Sequence, residues 1–244
     1  MHPQTPCKAC HLRKTGAFSA NNEAEIGFIQ TIKQRQIRAH AGSRMLQEGD
    51  ASKALYTLLS GWAFRYRTLS DGRRQIFNFL LPGDFIGLQH QLGQASPHGV
   101  EALTDIALCV FPNERLWDIY RNHPGLGFDI TWLCAHEELI VDENLLSVGR
   151  RSAAERIAML LIHLYKRAES VGLNGQDGVL FPLTQQHIAD ALGLSLVHTN
   201  KTMKRLQAMG LYTLSNGWLR LTNPAAMARL ADYYALPLRA RPLI

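Results

Sequence analysis

The order of residues between Thr184 and Ala208, TQQHIADALGLSLVHTNKTMKRLQA, leaves that stretch few ways to fold. Thr184 can cap a helix, because its hydroxyl accepts from a main-chain N–H that the helix itself leaves unpaired. Ile188, Ala189 and Leu192 then fall on one face of a short helix. Gly193 follows, where a tight turn requires a backbone conformation that residues with a Cβ avoid. Leu194 is placed to fill the space between two helices, and Ser195 caps the second. In that second helix Leu196, Thr199, Met203 and Leu206 can face inward. Val197, His198, Asn200, Lys201, Lys204 and Arg205 are left facing outward. This is a helix-turn-helix pattern. Side chains near the start of such a second helix meet base edges in the DNA major groove, and later cations meet phosphates.

Two short strands are predicted just downstream, at Gly210–Thr213 and Gly217–Leu221 around Ser215-Asn216, which would make the wing of a winged helix. The charge distribution agrees. The net charge is +6, but from Arg150 onward there are twelve Lys/Arg against five Asp/Glu, so the first 149 residues carry about minus one. A basic domain attracts polyanions, of which nucleic acid is the commonest. No apolar run approaches the ~18–20 residues that span a bilayer, and MHPQTPCKACHLRK lacks the apolar segment of a secretion signal. The expected location is the cytoplasm, where the four cysteines stay free of structural disulfides.

Residues 37–117 have another rhythm. Runs rich in β-formers, Ala54–Leu59, Trp62–Thr68, Gln75–Leu81 and Ala107–Phe111, alternate with turn signals at Gly49-Asp50, Ser60-Gly61, Asp71-Gly72 and Pro82-Gly83-Asp84. Such spacing predicts a compact antiparallel barrel or sandwich of hairpins. Before it, residues 1–20 read as a polar arm, and Glu23–Arg35 as a short helix. After it, Leu126–Val148 is helical and apolar around Phe128, Trp132, Leu133, Leu139, Ile140 and Leu146. A helix of that kind is either buried in its own domain or pairs with a second copy. Ser152-x-x-Glu155 is a capping box opening the next helix.

In this order the features resemble the CRP/FNR family of bacterial transcription regulators over nearly the whole chain. The resemblance is carried by Glu48-Gly49-Asp50, Leu59-Ser60-Gly61, Leu81-Pro82-Gly83-Asp84-Phe85-Ile86-Gly87, Ala153-Ala154-Glu155-Arg156-Ile157-Ala158 and the segment VHTNKTMKRLQ. It implies an α+β fold: an N-terminal cyclic-nucleotide-binding-like antiparallel β-roll, a long dimerisation helix and a C-terminal winged helix-turn-helix. The expected divisions are an arm at 1–22, the sensor at 23–125, the dimerisation helix at 126–150 and the DNA-binding domain at 151–244. It further implies a homodimer that binds double-stranded DNA and contacts RNA polymerase. Thr184, Gln185, Ser195, Val197, His198, Asn200, Lys201, Lys204 and Arg205 are the expected DNA contacts, the first two to phosphate. Lys201 stands where the family has a base-reading arginine, and it lacks the planar fork that grips guanine. Val197 replaces the acidic reader of both founding branches, so this chain should share neither founder's operator.

The resemblance also frames the signal. The cyclic-AMP branch has a Gly-Glu-Leu turn and an Arg-Ser pair, but this chain has Gly87-Leu88-Gln89 and Ser96-Pro97-His98, which argues against cyclic AMP. The oxygen-sensing branch holds a [4Fe–4S] cluster on four cysteines. Cys7, Cys10 and Cys109 match three, Gly16 stands at the fourth place, and Cys134 lies on the apolar helix, where it should pack as a small hydrophobe. An iron–sulfur cluster completed by His11 or another ligand, a zinc site, a thiol switch and an arm without cofactor all remain open. Cys7-x-x-Cys10-His11 also fits covalent haem attachment, but that chemistry requires export. His90, His98, His123, His136 and His163 show no ligand-pair spacing. With no nucleophile elbow, phosphate loop or zinc-protease motif, no enzyme is expected. The competing reading is a small-molecule-binding or redox-sensing module that acts through protein contacts rather than DNA.

Overall fold

The computed structural model describes residues 4–52, 54–89, 95–233 and 240–244. The chain forms two compact units, one of Met1–Arg67, Phe79–Leu139 and Arg239–Ile244, the other of Thr68–Asn78 and Ile140–Leu238.

In the first unit α1 (Glu23–Ile32) begins at a capping box, in which Asn22 and Glu25 satisfy each other's main-chain N–H groups. Eight strands follow along the chain, the β4–β5 turn and most of β5 being counted with the second unit: β1 (Arg35–Ala39), β2 (Arg44–Leu46), β3 (Ala54–Ser60), β4 (Ala63–Thr68), β5 (Arg74–Leu80), β6 (Phe85–Ile86), β7 (Gly99–Ala102) and β8 (Ile106–Pro112). They make two four-stranded sheets, ordered β1-β8-β3-β6 and β2-β7-β4-β5. The core between them gathers Leu46, Leu58, Leu80, Ile86, Val100, Ile106 and Leu108. Each such side chain contributes ~1.5–3 kcal/mol by leaving water. The hairpin read from Asp71-Gly72 is present, with the Gly72 N–H donating to the Leu69 oxygen at 2.9 Å. Two features lie beyond what the residue order suggests. The arm is packed rather than loose, with 3-10 turns at Cys7–Ala9 and His11–Lys14 and with Leu12 buried. Residues 240–244 also belong to this unit.

Two helices complete the span. α2 (Leu116–Asn122) leads into α3 (Pro124–Arg150), 27 residues long. Leu126, Ile130, Leu133 and Ile140 are buried, whereas Phe128, Leu139 and Leu145 are about two-thirds exposed (68%, 65% and 67%). Both faces of the helix are thus apolar: one is buried in the chain and the other remains exposed.

The second unit is centred on α4 (Ala153–Ser170), capped as expected by Ser152 and Glu155, with Ile157, Leu161 and Leu164 buried. Around it lie α5 (Gln185–Leu192), α6 (Leu196–Ala208) and α7 (Pro224–Ala231). A small sheet joins β9 (Asn174–Gly175), β10 (Gly178–Leu180), β11 (Tyr212–Ser215) and β12 (Trp218–Leu221) in the order β11-β12-β10-β9. The predicted wing is the β11–β12 hairpin. α7 is an addition to the expected elements, although its cap Asn223 and first-turn Pro224 are a recognisable start signal.

Candidate nucleic-acid interface and sensor pocket

The turn between α5 and α6 follows from its residues. Thr184 accepts from the His187 N–H at 3.2 Å and Ser195 from the His198 N–H at 3.2 Å, so both helices are capped as read. Gly193 takes the left-handed conformation, φ 62°, and its N–H closes on the Ala189 oxygen. Thr199, Met203 and Leu206 are buried on the inner face of α6, with Thr202 beside them. Tyr212 locks that face to the wing: its hydroxyl donates to the Met203 oxygen at 3.0 Å, and burial pushes its pKa up to about 12.

Leu196 departs from expectation. It is 46% exposed, because the inner face starts one turn later, at Thr199. Val197, His198, Lys201, Lys204 and Arg205 are exposed and Asn200 half-buried, so α6 presents one outward row of amide, imidazole and cationic groups. Val197, 78% exposed, is the apolar member of that row. Thr184 is exposed and Gln185 half-buried at the start of α5. Arg74, which sequence reasoning missed, pairs with Asp190 of α5 at 3.0 Å. Burial and Arg74 both lower the pKa of His187, while Asp190 opposes them. His187 therefore adds little positive charge near neutral pH.

In the first unit, Cys7, Cys10 and Cys109 line one small pocket with Lys33, Arg13, Gln36, Leu243 and Ile244. The sequence put the first two on a polar arm and the third on a strand, and packing brings them together. Gln36 Nε2 lies 3.7 Å from the Cys109 sulfur, and the Cys7 N–H donates to Gln30 at 2.7 Å. Burial raises the pKa of Cys7 and Cys109, opposed by the positive charge of Lys33 in both cases. Their alkylation at pH 7.5 should consequently be slower than that of a free thiol and still be rising above pH 9, because the thiolate is the reacting form. Rates for each cysteine, read by mass spectrometry across pH 7–10, check this; a plateau below pH 8 would contradict it.

The cluster implied by the resemblance is a poor match to these residues. The pocket's free volume is about 20 Å³, room for about one water molecule. Among the described residues no three His, Cys, Asp or Glu side chains converge as metal ligands. Gly16 supplies no donor, and His11 is exposed and does not line the pocket. Cys134, expected to pack as a small hydrophobe, is exposed on α3.

A cyclic nucleotide fits no better. Arg65, the buried arginine of β4, is held by Glu137 at 2.6 Å, and the Ser96 hydroxyl donates to the His98 oxygen at 2.6 Å. A larger cavity, about 340 Å³, is lined by Phe85, Leu88, Tyr120, Ile130, Leu133 and Cys134 among others, and is mostly apolar. His90 lies outside the described residues.

Residues 36–123 match the family model described as a cyclic nucleotide-binding domain, and residues 155–230 match that of the Crp-like helix-turn-helix domain. The chain is 30% identical to the nitrogen fixation regulation protein FixK of Bradyrhizobium diazoefficiens, over 92% of this chain and 93% of that protein. It is 26% identical to the fumarate and nitrate reduction regulatory protein of Escherichia coli, over 93% and 90%. The structure of FixK2 from Bradyrhizobium japonicum superposes with a TM-score of 0.72 at 25% identity, covering 83% of this chain and 98% of that one.

Proposed function

The chain belongs to the CRP/FNR family of transcription regulators, and from that membership we propose how it works: a homodimer that reads DNA through α6 in successive major grooves. The observation that carries this reading is the outward row on α6, whose caps, turn and buried inner face leave it free for a groove. Ser195, Val197, His198, Asn200 and Lys201, nearest the helix start, face the base edges. Lys204 and Arg205 lie further along and meet phosphates, as do Thr184 and Gln185. Paired α3 helices set the two half-sites ~34–36 Å apart.

Salt tests the mode of binding. With Lys204 and Arg205 from each subunit near phosphate, log K against log salt should fall with a slope of about −3.6. Titrating a labelled duplex between 50 and 300 mM salt measures it. A flat response would favour the competing module that works through protein contacts.

The family's members are transcription regulators, and we assign this chain no catalytic activity. Its site of action is the cytoplasm, beside RNA polymerase; among the described residues no helix is long and apolar enough to cross a membrane. The signal is received in the first unit, where Cys7, Cys10 and Cys109 sit beside Lys33 and Arg13. The convergence of three cysteines, two from the arm and one from β8, on one pocket supports that reading.

A further inference from the structure

Residues 240–244 follow the second unit in sequence, yet they are built into the first. Arg241 is the anchor. Its guanidinium pairs with Asp84 and donates to the Pro82 oxygen at 2.7 Å, and it lies 4.9 Å from the centre of the Phe18 ring. The main chain is tied as well. The Arg241 N–H donates to the Ala17 oxygen and the Ser19 N–H to the Arg241 oxygen, both at 2.9 Å, forming a parallel bridge with Phe18. Gly83 shows how closely this is packed, since a Cβ there would come within 2.2 Å of the Phe18 ring.

Beyond the anchor, Leu243 and Ile244 are only 2% and 5% exposed. Both line the pocket of the three thiols, and the Thr57 hydroxyl donates to the Ile244 main-chain oxygen at 2.7 Å. The free volume left beside the sulfurs is about 20 Å³, so a group larger than water added to Cys7 or Cys109 presses on the pocket walls, Leu243 and Ile244 among them. The wall supplied by Leu243 and Ile244 is a five-residue segment anchored by the Arg241 side chain and three main-chain hydrogen bonds, whereas the others belong to the arm, α1 and the sheet. Eight residues, 232–239, separate it from the end of α7.

We propose that residues 240–244 are a strap, fastened by Arg241, that lids the three-thiol pocket, so that thiol modification and strap release are one linked equilibrium. Linkage makes the effect reciprocal: what opens the strap exposes the thiols, and what enlarges a thiol opens the strap. The lid itself stands on the packing alone. Its bearing on transcription rests on the reading of this pocket as the sensor.

The experiment uses the reduced full-length chain and iodoacetamide, with the alkylation rate of each cysteine followed by mass spectrometry. In Arg241→Ala, Cys7 and Cys109 should react at least about tenfold faster than in the unaltered chain. Cys134, exposed on α3, is the reference; because it lines the apolar cavity together with Arg241, its rate is also compared in Leu243→Ala, where Arg241 is kept. A change of less than twofold at Cys7 and Cys109 overturns the proposal. Should Cys134 accelerate equally, the whole unit has loosened. Leu243→Ala, which keeps the Arg241–Asp84 pair, then decides under the same criterion. Hydrogen exchange provides the reciprocal reading: alkylating the unaltered chain should speed exchange of the Arg241 and Ser19 amides, and unchanged exchange also overturns it. Strap release without any change in DNA affinity would leave the lid standing and refute the sensor reading.

Discussion

Replacing Lys201 by alanine is expected to lower affinity for a selected palindrome by at least about thirtyfold, with a much smaller loss on random duplex DNA. One good base contact is worth ~1–3 kcal/mol of discrimination, and a homodimer loses it in both half-sites. Lys201 is exposed, so the substitution should leave folding intact. Asn200→Ala should narrow the same ratio, by less, since Asn200 is already half-buried. Lys204→Ala and Arg205→Ala form the contrasting pair. They should weaken specific and random binding alike and make the salt slope shallower by about one for each phosphate no longer neutralised. Binding isotherms on both duplexes separate the cases; an unchanged ratio in Lys201→Ala would remove it from the readers.

The second large effect is expected at the dimer seam. Leu139→Glu places a charge on the exposed apolar face of α3 that also carries Phe128 and Leu146, which lie eleven residues before and seven after it. These spacings return to one face of a helix. Two carboxylates facing each other across a two-fold axis would be desolvated without a partner, so the variant should be monomeric at micromolar concentration. Leu139 is 65% exposed in the single chain, and its own fold loses little packing. Affinity for the palindrome should nonetheless fall by about a hundredfold or more, because each half-site then binds alone. Light scattering and circular dichroism give the test: a folded monomer supports the seam, while a variant that stays dimeric places the interface elsewhere.

Much of this was legible in the residue order. The two-helix turn, its caps and the strands on either side of Asp71-Gly72 are all set by local rules, the positions of Gly, Ser, Thr and alternating apolar side chains. Leu196 misleads for a local reason also. Helical spacing gives the direction of a side chain but not whether a partner waits there, and at the first position of α6 none does. The thiol pocket was legible only as three residue types. That Cys109 meets Cys7 depends on an arm folding back over β1 and β8, and an aperiodic polar segment carries no signal of that. The strap was invisible for the same reason. Its contacts join residues more than 150 positions apart, as in Arg241 with Asp84, and no short-range pattern encodes such a pairing. The Arg65–Glu137 pair is hidden too, since a strand arginine reads as solvent-facing until a helix is seen to cover it.

Val197 is 78% exposed at the start of α6. An isopropyl group at the tip of a recognition helix cannot accept or donate a hydrogen bond, and what it can detect on a base edge is a methyl group. Thymine carries one at C5, and so does cytosine after enzymatic methylation. A reader of this kind distinguishes bases by hydrocarbon shape at that position. If Val197 meets a base edge as proposed, a methylated C·G pair would present to it the same methyl group as T·A, and covalent marking of the DNA would change what this surface contacts.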